Sequence, residues 1–119
     1  MKKKLAMLGL AAAILLPSVV AFAGSFSSTY WMTGGLFTRY FSVSSSATVT
    51  VKTYPTQGVN GQTMTIYLEN ANGNVEDSSW NYSYVNDSCT LDPTTSGNHR
   101  LYLRNFTGQV MSGSIVVSY

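Results

Sequence analysis

Charge is scarce in this chain. Only 10% of its 119 residues are Asp, Glu, Lys or Arg. Three of the seven cations, Lys2, Lys3 and Lys4, crowd the N-terminus. Beyond residue 23 stand Arg39, Lys52, Arg100 and Arg104 against Glu69, Glu76, Asp77, Asp87 and Asp92, four minus five, or −1. The formal +2 of the whole chain therefore belongs to its first residues, and nucleic-acid binding through a basic surface is excluded. There is one cysteine, Cys89, so no internal disulfide can close. Two fates remain for it: an inert thiol buried in a strand, or a cross-link to another chain. There is one histidine, His99. A Cys89–His99 dyad would lack both a nucleophile elbow and any surrounding signature, so no enzyme is expected and His99 reads as an exposed loop residue.

Long apolar runs are also lacking, with one exception. "LAMLGLAAAILL" (5–16) follows the lysines and is too short for a comfortable membrane span. "PSVVAFA" then places Ala21 and Ala23 at the small-residue positions before Gly24. This is the pattern of a secretory signal peptide of bacterial form, residues 1–23, and it implies a secreted protein with no membrane span once cleaved.

What the rest of the chain has in quantity is Ser, Thr and aromatic rings. Ser and Thr make up 28 of residues 24–119. Such a composition favours strands over helices, and no window keeps a helical period. "GSFSSTYWMTGG" (24–35) reads as an N-terminal arm, either a lead-in or a first edge strand. The domain proper is placed at 36–119. "LFTRYFSV" (36–43) is one aromatic strand, and "ATVTVKTY" (47–54) alternates with Ala47, Val49 and Val51 on one face. "PTQGVNGQ" ends it, with an Asn60-Gly61 turn signal.

The chain then says nearly the same thing twice. "TIYLENANGNV" (65–75) returns as "RLYLRNFTGQV" (100–110), with Tyr, Leu, Asn, Gly and Val in register. In each copy the apolar residues (Met64, Ile66, Leu68; Leu101, Leu103) face inward. Tyr67 and Tyr102 face outward, and Gly73 and Gly108 take turn positions that tolerate positive φ. Each copy reads as a hairpin strand with its return. Between them lie "WNYSYV" (80–85) and "SCTL" (88–91). Short strands with turn signals every eight to twelve residues point to an all-β fold, a small antiparallel sandwich of about seven to eight strands.

The stretch "LDPTTSGNHRLYLRNFTGQVMSGSIVVSY" (91–119) resembles the end of bacterial pre-peptidase C-terminal domains. It has a Gly, a Tyr/Leu-rich strand, a Gly-containing turn, a second Gly and a final apolar strand. "MTIYLENANGNV" (64–75) is similar to their earlier strand-turn-strand. The resemblance implies a jelly-roll-like sandwich related to collagen-binding modules. The acidic residue often found before the first hairpin strand is replaced by Gln62, Thr63 and Met64, so no calcium site is carried over from it.

The surface candidates follow from the rings. Trp80, Tyr82 and Tyr84 alternate and so share a face, which either fills the core, the usual fate of Trp, or meets solvent. Together with Tyr67 and Tyr102 they are the candidate ligand-binding residues, suited to sugar rings or a protein surface. "ENANGNVED" offers Asn70, Asn72 and Asp77 as candidate calcium ligands, although it does not match an EF-hand, and no other cofactor is expected. The leading expectation is a secreted, non-catalytic module that binds an extracellular polysaccharide, a cell wall or a protein surface. The alternative is a subunit of an extracellular assembly, self-associating through its arm by strand addition.

Overall fold

A computed structural model describes residues 23–119, and the expected export signal falls outside them but for its last residue. Nine strands follow in order: β1 (Ser25–Met32), β2 (Gly35–Phe37), β3 (Phe41–Val43), β4 (Val49–Gln57), β5 (Thr63–Asn70), β6 (Val75–Tyr82), β7 (Asp87–Leu91), β8 (Gly97–Arg104) and β9 (Met111–Ser118). They form two antiparallel sheets, one ordered β1-β9-β4-β7 and the other β2-β8-β5-β6, with β3 also on β8. The all-β sandwich expected from the short strands is what forms.

The pairing is nested. β1 lies on β9, β2 and β3 on β8, β4 on β7, and β5 on β6. A chain folded once at its middle and then wrapped over itself gives this order, with β9–β4 and β8–β5 as the contacts made by wrapping. That is jelly-roll winding, with β2 and β3 sharing one strand position. The break between them is local. Thr38 takes over the ladder there, its N–H donating to the Leu101 carbonyl at 2.9 Å while its hydroxyl accepts from the Leu101 N–H at 2.9 Å. The single strand expected over 36–43 is thus two short ones.

The core sits between the sheets and follows the period-two pattern. Val49 and Val51, Met64, Ile66 and Leu68, Leu101 and Leu103, and Met111, Ile115 and Val117 are all buried. Residues 24–35, expected as an arm, are integral to the sandwich. β1 pairs with β9 from Ser25↔Ser118 to Met32↔Met111 and contributes Phe26, Tyr30 and Met32 to the core.

The two copies of the repeated phrase do not make two hairpins. The first does, as β5 and β6. The second leaves β8 for β9 in the opposite sheet. The copies instead pair with each other: Ile66 faces Leu103, Tyr67 faces Tyr102 and Leu68 faces Leu101. A local two-fold axis runs between the two tyrosines, at the centre of the second sheet.

The turns after the copies are alike. Asn70 Oδ1 accepts the N–H of Asn72 at 2.9 Å, and Asn105 Oδ1 accepts that of Thr107 at 3.0 Å. Gly73 and Gly108 then take φ of 81° and 77°. Asx turns of this kind need a short polar side chain at the start and a residue free of the Cβ clash three positions on. The repeat therefore encodes strand plus turn, and the partner of the return strand is set elsewhere.

Pro55 lies opposite Gly113 beside a bulge at Thr56 in the β4–β9 ladder, a place where proline is tolerated. Backbones approach closely here. A Cβ on Gly113 would collide with the Tyr54 carbonyl oxygen and lie 2.7 Å from Pro55 Cα. The buried Tyr30 hydroxyl also abuts this point. Gly113→Ala is expected to cost at least about 2 kcal/mol in urea unfolding, as an overpacked site whose neighbours are backbone. Gly34→Ala, with open space around it, should stay within about 0.5 kcal/mol of wild type.

Candidate functional site

The strand most at odds with its hydrophobic pattern is β6. Its inward row is Asp77, Ser79 and Asn81, continued by Ser83, while its outward row is Ser78, Trp80 and Tyr82, continued by Tyr84. Polar side chains are inside and rings are outside. Asn81 and Ser83 find partners, although Asn81 Oδ1 stays without one among the described residues. Asn81 Nδ2 donates across the core to Thr53 Oγ1 at 2.9 Å, linking the two sheets. The Ser83 hydroxyl lies 3.0 Å from the carbonyls of Val59 and Gln62 and accepts from the Val59 N–H at 3.1 Å. With those positions held by hydrogen bonds, the rings are released to the surface. Trp80 is 50% exposed, Tyr82 40% and Tyr84 38%. Of the two placements open for Trp80, the structure takes the solvent-facing one.

Tyr67 and Tyr102 stand on the same outer face, half-buried. They stack at 6.1 Å between centroids, and Phe37 stacks on Tyr102 at 4.4 Å. Arg100 lies 3.8 Å from the centroid of Phe37 and bonds Glu69 Oε1 at 3.2 Å. These rings stand upright side by side, so their faces are covered by one another and by the guanidinium. Tyr67 and Tyr102 are half-buried within this stack, while Phe37 at its end is still 48% exposed. The five sequence candidates thus share one sheet face but split into two kinds: a packed stack, Phe37–Tyr102–Tyr67, and an open row, Trp80–Tyr82–Tyr84. Within the open row the neighbours meet edge to face at 5.1 and 5.6 Å. Phe37 was not among the candidates, and its place opposite Tyr102 is legible only from the β2–β8 pairing.

Of the three residues proposed for calcium, Asn70 and Asp77 already use their oxygens in hydrogen bonds. Asn70 Oδ1 caps its turn and its amide donates to Glu76 Oε2 at 2.9 Å. Asp77 accepts the N–H groups of Ser78 and Asp92, both at 2.8 Å. Asn72 is exposed in the turn. Among the described residues no three His, Cys, Asp or Glu side chains come together as a metal site. Cys89 lies on β7 opposite Val51 and packs partly buried against the core. Burial pushes its thiol up to about 11, with Asp87 and Asp77 adding to the rise, so it is protonated and weakly nucleophilic at neutral pH.

His99 is fully buried on β8, which corrects its reading as an exposed loop residue. Its partner is Glu76, 4% exposed, at 2.9 Å between Nε2 and Oε1. A bulge brings them together. The β5–β6 register runs from Leu68↔Asp77 to Glu69↔Val75, so Glu76 is the extra residue and its side chain is turned inward. Val75, next in the alternation, is thrown out to solvent instead. His99 Nδ1 faces the Gly97 carbonyl at 2.8 Å. An oxygen thus stands at hydrogen-bond distance from each ring nitrogen.

The Glu76 carboxylate also accepts from the N–H groups of Thr94 and Thr95, the Thr95 hydroxyl and the Asn70 amide. Burial pushes its carboxyl up, but the hydrogen bonds from Thr95, His99, Thr94 and Asn70 outweigh that and hold it well below the usual carboxylate range. The histidine and this carboxylate are thereby engaged in hydrogen bonds within the fold.

Replacing the carboxylate by an amide keeps one oxygen for His99 and the Thr94 and Thr95 N–H groups but turns a donor toward the Asn70 amide and the Thr95 hydroxyl. Glu76→Gln is expected to cost roughly 3 kcal/mol in chemical unfolding at pH 7. The pH dependence has a fixed sign. Because folding lowers the Glu76 value, its stabilisation is complete above the ordinary 4.5 and drains away as pH falls below that. The stability gap between wild type and Glu76→Gln should therefore narrow as the pH is taken below 4.5. No family model and no curated protein sequence matches the chain.

Proposed function

We propose that the protein is an exported, non-catalytic binding module whose contact surface is the open aromatic row of β6. One observation carries this: β6 is built inside out. A small sandwich with little core to spare leaves Trp80, Tyr82 and Tyr84 in water, although the same strand had inward positions available. Exposed large apolar groups in one row are the informative exception on a soluble surface.

The chemistry around the row suits a neutral extended glycan, as in an extracellular polysaccharide or a cell wall. Thr65 lies opposite Trp80, Thr63 opposite Tyr82, and Ser78 continues the row, so hydroxyls flank the rings. Aromatic faces bury the apolar side of a sugar while the hydroxyls bond its rim. The jelly-roll winding accords with the resemblance to pre-peptidase C-terminal domains and their collagen-binding relatives, which makes a protein fibre the second target to test. The hydrogen-bonded His99–Glu76 pair and the protonated Cys89 thiol favour binding over catalysis.

Retention on insoluble glycans, peptidoglycan and collagen measures the idea directly. The wild type is expected to be retained on at least one glycan, and Trp80→Ala/Tyr82→Ala to bind it at least about tenfold more weakly, since stacking rings carry much of such an interface. Both side chains are exposed, so the variant should keep the wild-type unfolding curve. Equal retention of the two proteins, or no retention of the wild type on any glycan, sinks the glycan reading. Retention on collagen alone transfers it to a protein surface.

A further inference from the structure

The sandwich has two lateral margins, and they are finished differently. At the β6/β7 margin two carboxylates consume edge amides. Asp77 takes the N–H of Ser78, and Asp87 takes those of Tyr82 and Ser88 at 2.8 Å each. Charged groups folded onto an edge in this way block the addition of another strand. At the opposite margin the second sheet ends in β2 and β3, which are short and interrupted at Thr38–Tyr40. The first sheet ends in β1, which is eight residues long and carries no Asp, Glu, Lys, Arg or Pro.

The open groups of β1 can be identified. Gly24 and Tyr119 exchange backbone hydrogen bonds, so the even-numbered residues of β1 bond to β9. Ser25, Ser27, Thr29 and Trp31 then turn their N–H and C=O groups to the edge. None of these backbone N–H groups has a partner among the described residues, and of the carbonyls only that of Thr29 takes a long contact from the Ser28 hydroxyl. In a chain that guards its other margin with two of its few carboxylates, this edge is left bare.

We infer that β1 is a homodimer interface, where a second copy adds its own β1 antiparallel to form one continuous eight-stranded sheet. A second copy fits because the edge is its own complement. With the two-fold axis through Ser28, Ser27 meets the partner's Thr29 and Ser25 meets the partner's Trp31. This register uses all four open residues of each copy, about eight hydrogen bonds, whereas a shift of two residues in either direction leaves one beyond the strand. β1 itself carries no charge, and a cation, Arg39, lies over its Phe26 ring. Trp31, 64% exposed at the end of β1, gains the partner's strand to pack on. The pair is isologous and closed, so it stops at two copies. The β6 row lies at the far margin and stays free for its ligand.

Sedimentation of the purified protein at micromolar concentration should give twice the mass of one chain. Ser27→Lys/Thr29→Lys places like charges across the axis and should weaken dimerisation at least about tenfold, with the far-ultraviolet spectrum unchanged. Ser28→Cys, made together with Cys89→Ser to exclude the native thiol, tests the register independently. Ser28 is exposed and would face its own copy at a close, non-hydrogen-bonded position, so oxidised glutathione should link two chains through the new thiol. A wild type that stays monomeric to about 100 µM, a double-lysine variant that still dimerises as tightly, or a Ser28→Cys/Cys89→Ser variant that does not cross-link would each overturn the inference.

Discussion

One buried carboxylate organises an end of this molecule. Glu76 collects the turn after β5 through Asn70, the loop after β7 through Thr94 and Thr95, and β8 through His99. Those segments come from both sheets, so the carboxylate acts where the two layers must be kept in register. A buried carboxylate is not in itself a large net gain, because desolvation takes back much of what its hydrogen bonds supply. What it supplies is specificity: five donors aimed at one group are satisfied in one arrangement and stranded in most others. The bulge that aims Glu76 inward is therefore part of the fold, and the exposed Val75 is its local consequence.

The opposite end is closed by neutral groups. Asn105 donates to the carbonyls of Met32 and Gln109 and accepts from Thr107, tying the β1 exit to the β8–β9 corner. Ser83 holds the Val59–Gln62 turn. Between the ends, Asn81 reaches across to Thr53. A chain poor in charge and without an internal disulfide thus fixes its sandwich with amides and hydroxyls. Such groups are directional but weakly hydrated compared with ions, which suits a small core that can offset little desolvation.

Much of this was legible in the sequence, and the exceptions have physical causes. Strict alternation in 64–68 and 101–103 reports which face is buried, and those inward assignments hold because both sheets have one wet face. The turn glycines Gly73 and Gly108 were legible because positive φ admits few residues. Pairing was not legible. The repeat suggested two hairpins, whereas local pattern carries no information about whether a return strand stays in its sheet. His99 was misplaced because its burial depends on a partner that a bulge delivers from 23 positions away. Residues 24–35 read either as a lead-in, from their Ser-rich composition, or as a first edge strand, and the strand is what forms, its signal carried by Phe26, Tyr30 and Met32 at alternate positions. Trp80 could have been placed by noting that its neighbours Ser79, Asn81 and Ser83 could find hydrogen-bond partners inside.

The repeated phrase now has a reason that neither copy has alone. Antiparallel strands related by a two-fold axis present the same residue to itself, so one pattern written twice yields a self-matching seam. At the axis Tyr67 meets Tyr102, and on either side Ile66 meets Leu103 and Leu68 meets Leu101. The copies differ where identity would be unfavourable. Two identical acids or two identical bases flanking the seam would set like charges across adjacent strands, but Glu69 faces Arg100, and Arg104 faces the neutral Thr65. Symmetry is thus kept where packing benefits from it and broken where charge forbids it. The stacked tyrosines belong to that seam, which leaves the free rings of β6 as the part of the face not already committed to holding the sheet together.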